Sequence, residues 1–208
     1  MTQEDRVRWD ARYAEHDPGE RKPPHPLLIE YAHLSPGSAA LDLACGRGRD
    51  ALWLAEHGFR PVVAADVSGV ALRHVLDMAR QRGLADRLWC VQADLDRFRF
   101  PPATFDLVCV FRFLNRGLFP AIARSLKPGS LLIYETFNRH RLDERPDASP
   151  DYLLRPGELL EAFGDLDVIA YGERGVRSHL VARQPAQTWD DGRIAQTEDD
   201  DTSANRQR

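Results

Sequence analysis

At 208 residues and 43% hydrophobic content, the chain is long enough to bury a sizeable core as one α/β domain. A net charge of −4 offers no basic footprint for nucleic acid, and three cysteines without paired spacing argue against a disulfide framework or a zinc site. No apolar run is long enough to span a membrane and the N-terminus is polar, so the expectation is a cytoplasmic enzyme without metal, membrane or nucleic-acid partners.

In chain order, residues 1–26 read as a short N-terminal helix and a proline-rich connection (16–26), with Trp9 and Tyr13 one turn apart on one helix face. The regular alternation fills residues 27–184. Residues 39–43 form a short apolar strand carrying Asp42, and Cys45-Gly46-Arg47-Gly48 turns into a helix that continues through residues 51–55. A second apolar run, 61–66, ends in Asp66; a third, 88–95, contains Asp94; a fourth covers 105–111. An amphipathic stretch (118–126) and the turn 127–130 lead to a fifth strand, 131–137. This alternation implies right-handed βαβ units in an open, mostly parallel, Rossmann-like sheet. Ligands in such sheets lie outside the carboxyl ends of the strands, where the strand order reverses. Asp42, Asp66, Asp94 and Phe111-Arg112-Phe113 all fall at such ends. From about residue 185 to 208 the chain has almost no apolar content, which predicts a disordered tail.

The glycine turn lets backbone approach a ligand closely, with a helix N-terminus aimed at it. Gly46, Gly48 and Ala51 also match the G-x-G-x-x-G/A pattern of dinucleotide-binding enzymes, so an NAD(P)-dependent oxidoreductase is a competing reading. Asp42 separates the two. Beside a pyrophosphate its carboxylate would repel, whereas the ammonium and sulfonium of S-adenosylmethionine would meet it. Capping of its own glycine turn is the purely structural alternative. Asp66 is placed to accept ribose hydroxyls, or to cap the next helix, a task Ser68 can also perform. Asp94 is a candidate for the adenine amino group, with Leu95 flanking the ring, or a solvent-facing loop residue.

Asp42-x-Ala44-Cys45-Gly46-x-Gly48, Asp66-Val67-Ser68, Gln92-Ala93-Asp94-Leu95, Phe105-Asp106-Leu107-Val108 and Leu126-Lys127-Pro128-Gly129 resemble the successive motifs of class I S-adenosylmethionine-dependent methyltransferases. Trp9-Asp10-x-Arg12-Tyr13 and Cys45-Gly46-Arg47-Gly48-Arg49-Asp50 resemble most the tellurite-resistance and thiopurine methyltransferase-like bacterial branch. The resemblance implies a seven-stranded sheet with an antiparallel last strand and helices on both faces. Residues 158–163 would form the last helix, and 166–171 with 179–183 the terminal hairpin. It implies a cofactor set of Asp42, Ala44, Gly46, Gly48, Arg49, Asp66, Val67, Asp94, Leu95 and Phe111, with Trp9 and Tyr13 laid over it as a lid.

Methyl transfer from a sulfonium is an in-line displacement, so orientation and desolvation are the main demands, and a base is needed only for a protonated, weakly acidic nucleophile. Arg112 follows the fourth strand, Glu135 lies near the end of the fifth, and Asn138 and His140 follow the fifth; these are the candidate acceptor-side residues, Glu135 being the best base. Arg112 with Arg139, His140 and Arg141 would make a cationic rim suited to an anionic or electron-rich acceptor. The expected partner is a small-molecule acceptor, a chalcogen oxyanion or thiol by resemblance. A non-catalytic S-adenosylmethionine-binding module is the alternative from outside enzymology.

Overall fold

The computed structural model describes residues 3–15 and 22–186. Seven strands form one sheet: β1 (Ala40–Leu43), β2 (Val62–Asp66), β3 (Leu88–Gln92), β4 (Phe105–Phe111), β5 (Leu126–Phe137), β6 (Asp167–Arg174) and β7 (Arg177–Arg183). Their order is β3-β2-β1-β4-β5-β7-β6, with the first five parallel and β7 antiparallel to both its neighbours. The chain reverses its direction of strand addition between β1 and β4, and that is where a crevice opens at the strand ends.

Alternation along the strands builds the two core layers. Leu107, Cys109 and Phe111 of β4 face one side with Leu52, Leu54, Val75 and Ala79. Val108 and Val110 face the other with Phe119, Ile122, Leu159 and Phe163. The first layer is covered by α2 (Pro26–Tyr31), α3 (Arg49–Glu56) and α4 (Gly69–Gln81), the second by α5 (Phe119–Ser125) and α7 (Glu158–Ala162). Tyr134, fully buried on β5, packs its ring against Phe119 and Phe163 and donates its hydroxyl to the Phe113 carbonyl at 2.9 Å. At the edge, β3 pairs only with β2 and leaves Trp89 57% exposed.

Several boundaries differ from the sequence reading. Pro26 opens α2 at its first turn, with His25 as N-cap, so the described part of the connection is only 22–25. No helix joins β3 to β4. Residues 93–104 cross without one, with Phe98 and Phe100 edge to face. β5 begins at Leu126 rather than 131: Phe105 pairs with Leu126 and Leu107 with Leu131, so the expected turn is an irregularity inside the strand. The lysine of that turn is structural. Lys127 Nζ meets Asp106 at 2.9 Å, and Asp106 also accepts the Ala39 N–H at 2.9 Å, joining β5, β4 and the start of β1 away from the crevice. The connection over 16–21 and the tail from 187 onward lie outside the described residues.

Candidate functional site

A cleft of about 1070 Å³ opens at the carboxyl ends of β1, β2 and β4. Two non-glycine residues there hold left-handed backbone, Ala44 (φ +56°) after β1 and Arg112 (φ +58°) after β4. Such conformations cost on the order of 1–3 kcal/mol each and persist only where the surroundings enforce them. Between Ala44 and α3, the glycine turn needs its glycines: Gly46 and Gly48 have φ of +53° and +69°. A Cβ on Gly46 would lie 2.8 Å from the Tyr13 hydroxyl, and one on Gly48 would lie 2.5 Å from Val75.

Three N–H groups of the turn and helix start are engaged within the protein. Gly46 N–H donates to Asp66 at 2.8 Å, Gly48 N–H to the Cys45 carbonyl at 2.9 Å, and Ala51 N–H to Asp42 at 3.0 Å. Asp42, 2% exposed, has its second oxygen 3.7 Å from the Cys109 sulfur. Burial, and then the nearby Asp50, drive its carboxyl well above the usual range, and a cation arriving in the cleft would restore its charge. Asp66 accepts the Ser68 N–H at 2.9 Å on its other oxygen; burial raises its carboxyl despite these bonds. The Cys109 thiol is buried and that of Cys45 half-buried; desolvation raises both well above their ordinary value, which leaves them poor nucleophiles.

Over the turn lies α1 (Gln3–Ala14), which has no buried residue of its own. Trp9 stacks on Tyr13 at 5.7 Å, and Arg12 lies over the Trp9 ring at 5.1 Å. The helix is fastened by Asp10, whose carboxylate accepts Ser68 Oγ at 2.6 Å and the Val70 N–H at 3.2 Å, at the N-terminus of α4. Burial raises Asp10, but Ser68, Val70, Arg6 and Arg73 outweigh it and hold the carboxyl below its usual value. The fastening is therefore complete above the unfolded-state pKa and is lost as pH falls through the lower folded value. Asp10→Asn is expected to weaken cofactor binding about three- to tenfold, mainly through faster release. Stopped-flow Trp fluorescence checks this; an unchanged release rate would remove α1 as a cover.

The cleft brings together Trp9, Tyr13, Asp42, Ala44, Gly46 and Arg49, and with them Asp66, Val67, Phe111 and Arg112. Gly48, Asp94, Leu95, Glu135, Asn138 and His140 are outside its lining. For Gly48 the reason is its packing on Val75. β3 ends at Gln92, and the Asp94 carboxylate turns back to the Asp96 N–H at 3.0 Å, while Leu95 is fully buried in the layer opposite α3. Asn138 is buried, donating to the Gly175 carbonyl and Ser178 Oγ, both at 3.2 Å, and His140 lies near Asp143 at 3.8 Å.

Glu135 is engaged by a residue that the sequence reading passed over. His25 is 2% exposed, stacks on Phe111 at 3.9 Å, and brings Nε2 to Glu135 Oε1 at 2.9 Å. Its Nδ1 accepts the Leu27 N–H at 3.3 Å, so Nε2 is the donor to Glu135. Its own N–H donates to Asp50 at 2.6 Å, and Asp50 pairs with Arg49 at 3.0 Å. Burial raises Glu135, but His25, Arg177 and His179 outweigh it and hold it below its ordinary value. It is thus a carboxylate with a partner behind Phe111 rather than a poised base. His25→Ala removes the stack, the cap and the Glu135 bond together. The expected cost is about 2–4 kcal/mol in urea unfolding, and a cost under about 1 kcal/mol would contradict this account of the buried pair.

Known proteins resemble parts of this chain. Residues 40–129 match the family model described as a methyltransferase domain. That span is less than half of the 208-residue chain. It is 31% identical over 123 residues to methyltransferase GfsG of Streptomyces halstedii, covering 56% of this chain and 44% of that one. It is 31% identical over 119 residues to the ubiquinone/menaquinone biosynthesis C-methyltransferase UbiE of Methylococcus capsulatus, covering 54% and 48%. The chain thus spans about half the length of these curated relatives. Among solved structures, TehB from Haemophilus influenzae superposes with a TM-score of 0.65 at 15% identity, over 77% of this chain and 62% of that one. That likeness is one of fold, and it does not single out the tellurite branch.

Proposed function

We propose that this chain binds S-adenosylmethionine between Asp42 and Asp66 and transfers its methyl group to a small-molecule acceptor in the cytoplasm. The observation that carries the reading is the inward engagement of the glycine turn. The N–H groups of Gly46, Gly48 and Ala51 are bound to Asp66, a carbonyl and Asp42, so these three are taken and a pyrophosphate beside them would meet two carboxylates. Asp42, Asp50 and Asp66 line the cleft, and a cationic ligand suits them. When bound, the cofactor supplies an electrophilic methyl group on a sulfonium.

The chain's own residues bind and orient. Asp42 meets the ammonium and Asp66 the ribose hydroxyls, the carboxylate oxygens accepting these bonds beside the donors they already have. Trp9 and Tyr13 exclude water from above as a lid, and Phe111, Phe113 and Phe137 wall the acceptor end. With Glu135 bonded to His25, an acceptor that arrives already nucleophilic fits best, such as a thiolate or chalcogen oxyanion. Three unpaired thiols fit a reducing compartment, and among the described residues no helix is long and apolar enough to cross a membrane.

Incubation with methyl-labelled S-adenosylmethionine and an acceptor panel tests this. The panel is selenite, tellurite, small thiols and a quinol, the last because one relative is named a C-methyltransferase. Label is expected in at least one small-molecule product. Tight cofactor binding with no transfer across the panel would favour a non-catalytic binding module.

A further inference from the structure

Of the six other arginines lining the cleft, four have carboxylate partners, Arg49 with Asp50, Arg82 with Glu56, Arg141 with Glu144 and Arg145 with Asp147, while Arg47 meets His74 at 3.4 Å and Arg12 lies over the Trp9 ring. Arg112 differs. Its guanidinium makes no hydrogen bond or ion pair among the described residues, although it lines the same cleft. After burial, the charges of Arg49 and Arg177 press most on it, offset in part by Glu135 and Asp50.

Its place is set by the fold. The residue sits at the end of β4 in left-handed backbone, and its N–H donates to the Glu135 carbonyl at 2.8 Å, so the β4–β5 joint fixes where the side chain leaves. Beside it, Phe111, Phe113 and Phe137 line the cleft, and Arg141 and Arg177 stack over the Phe137 ring at 4.8 and 5.8 Å. An unpaired fork of donors among like charges and aromatic faces is a receptor for an anion with an apolar body.

We propose that Arg112 selects the acceptor by receiving its oxyanion group, a carboxylate or a chalcogen oxyanion, with two oxygens facing the guanidinium. The bound anion relieves the repulsion among Arg49, Arg112 and Arg177, while the aromatic rings take the apolar part. This rests on the cleft being the acceptor site of methyl transfer.

Calorimetry at low ionic strength tests it, with the protein loaded with S-adenosylhomocysteine and titrated with benzoate, selenite and the neutral control benzamide. Benzoate or selenite is expected to bind wild type and to weaken about tenfold or more in Arg112→Gln, with Arg112→Lys between them. Benzamide binds at least about tenfold more weakly than benzoate. Binding of S-adenosylhomocysteine by the Gln variant shows that it is folded. The inference is overturned if neither anion binds wild type, if both bind the Gln variant equally well, or if benzamide matches benzoate. Anion binding without S-adenosylhomocysteine binding keeps the Arg112 site and removes the methyl-transfer reading; the converse keeps methyl transfer and removes the Arg112 site.

Discussion

Asp66→Ala is expected to abolish S-adenosylmethionine binding and to destabilise the fold by about 2–4 kcal/mol. The carboxylate does two things at once. It holds the Gly46 N–H at 2.8 Å and the Ser68 N–H at 2.9 Å, both within buried backbone, so its loss leaves two donors without partners. The Gly46 bond joins the glycine turn to the end of β2, and the turn's left-handed backbone relaxes without it. Asp66→Asn retains one acceptor oxygen, and its loss should be about half that of the Ala variant. Urea unfolding with and without cofactor separates the effects: stability falls in both variants, and ligand-induced stabilisation disappears in Ala. Wild-type affinity in Asp66→Ala would remove Asp66 from the cofactor site.

Arg116→Ala is expected to destabilise the fold at a buried ion pair away from the cleft. Glu158 is 4% exposed at the start of α7, and Arg116 reaches both its oxygens, at 2.5 and 3.0 Å. Arg116 also donates to the carbonyls of Asp151 and Leu153, and the Arg155 N–H donates to Glu158 at 2.7 Å. One guanidinium thus joins the turn before α5 to the segment leading into α7. Removing it leaves a buried carboxylate short of a partner, a loss of about 2–3 kcal/mol; it falls at the low end for such pairs because the arginine is 39% exposed. Burial raises Glu158, but Arg116 and the Arg155 N–H outweigh it and hold it below its ordinary value. The stabilisation it provides is therefore present above the unfolded-state carboxylate pKa and lost as pH falls through the lower folded value. In the variant that acid-side loss shrinks, and adding Glu158→Gln recovers part of the stability at neutral pH. A single-variant cost under about 1 kcal/mol would show that the pair is solvent-screened.

Features of the fold that depend on local pattern were legible in the sequence. The alternating apolar run of β4 coincides with its strand, Phe105–Phe111, because every residue on both faces but Asp106 is buried. The glycine turn and the acid ending β2 were equally plain, since a strand–turn–helix step needs small residues with left-handed backbone. What was hidden depends on contacts between distant positions. Asp10 meets Ser68 across 58 positions and His25 meets Glu135 across 110, and no spacing rule reports either. Faint signals existed: Asp10 shares a helix with Trp9 and Tyr13, and His25 precedes a proline at a helix start, where an N-cap belongs. Asp94 read as a strand-end acid because the third apolar run, 88–95, extends three residues past the strand; the strand stops at Gln92 and the Asp94 carboxylate accepts the Asp96 N–H of its own loop.

Titration of the purified chain with S-adenosylmethionine, and separately with NAD(H), tests most directly the claim that acids at the β1–β4 crevice select a cationic adenosyl ligand. The account predicts one-to-one binding of S-adenosylmethionine near micromolar affinity, roughly −8 kcal/mol, and none of NAD(H). Binding of NAD(H) alone would contradict it, because a pyrophosphate would then sit among the carboxylates of Asp42, Asp50 and Asp66.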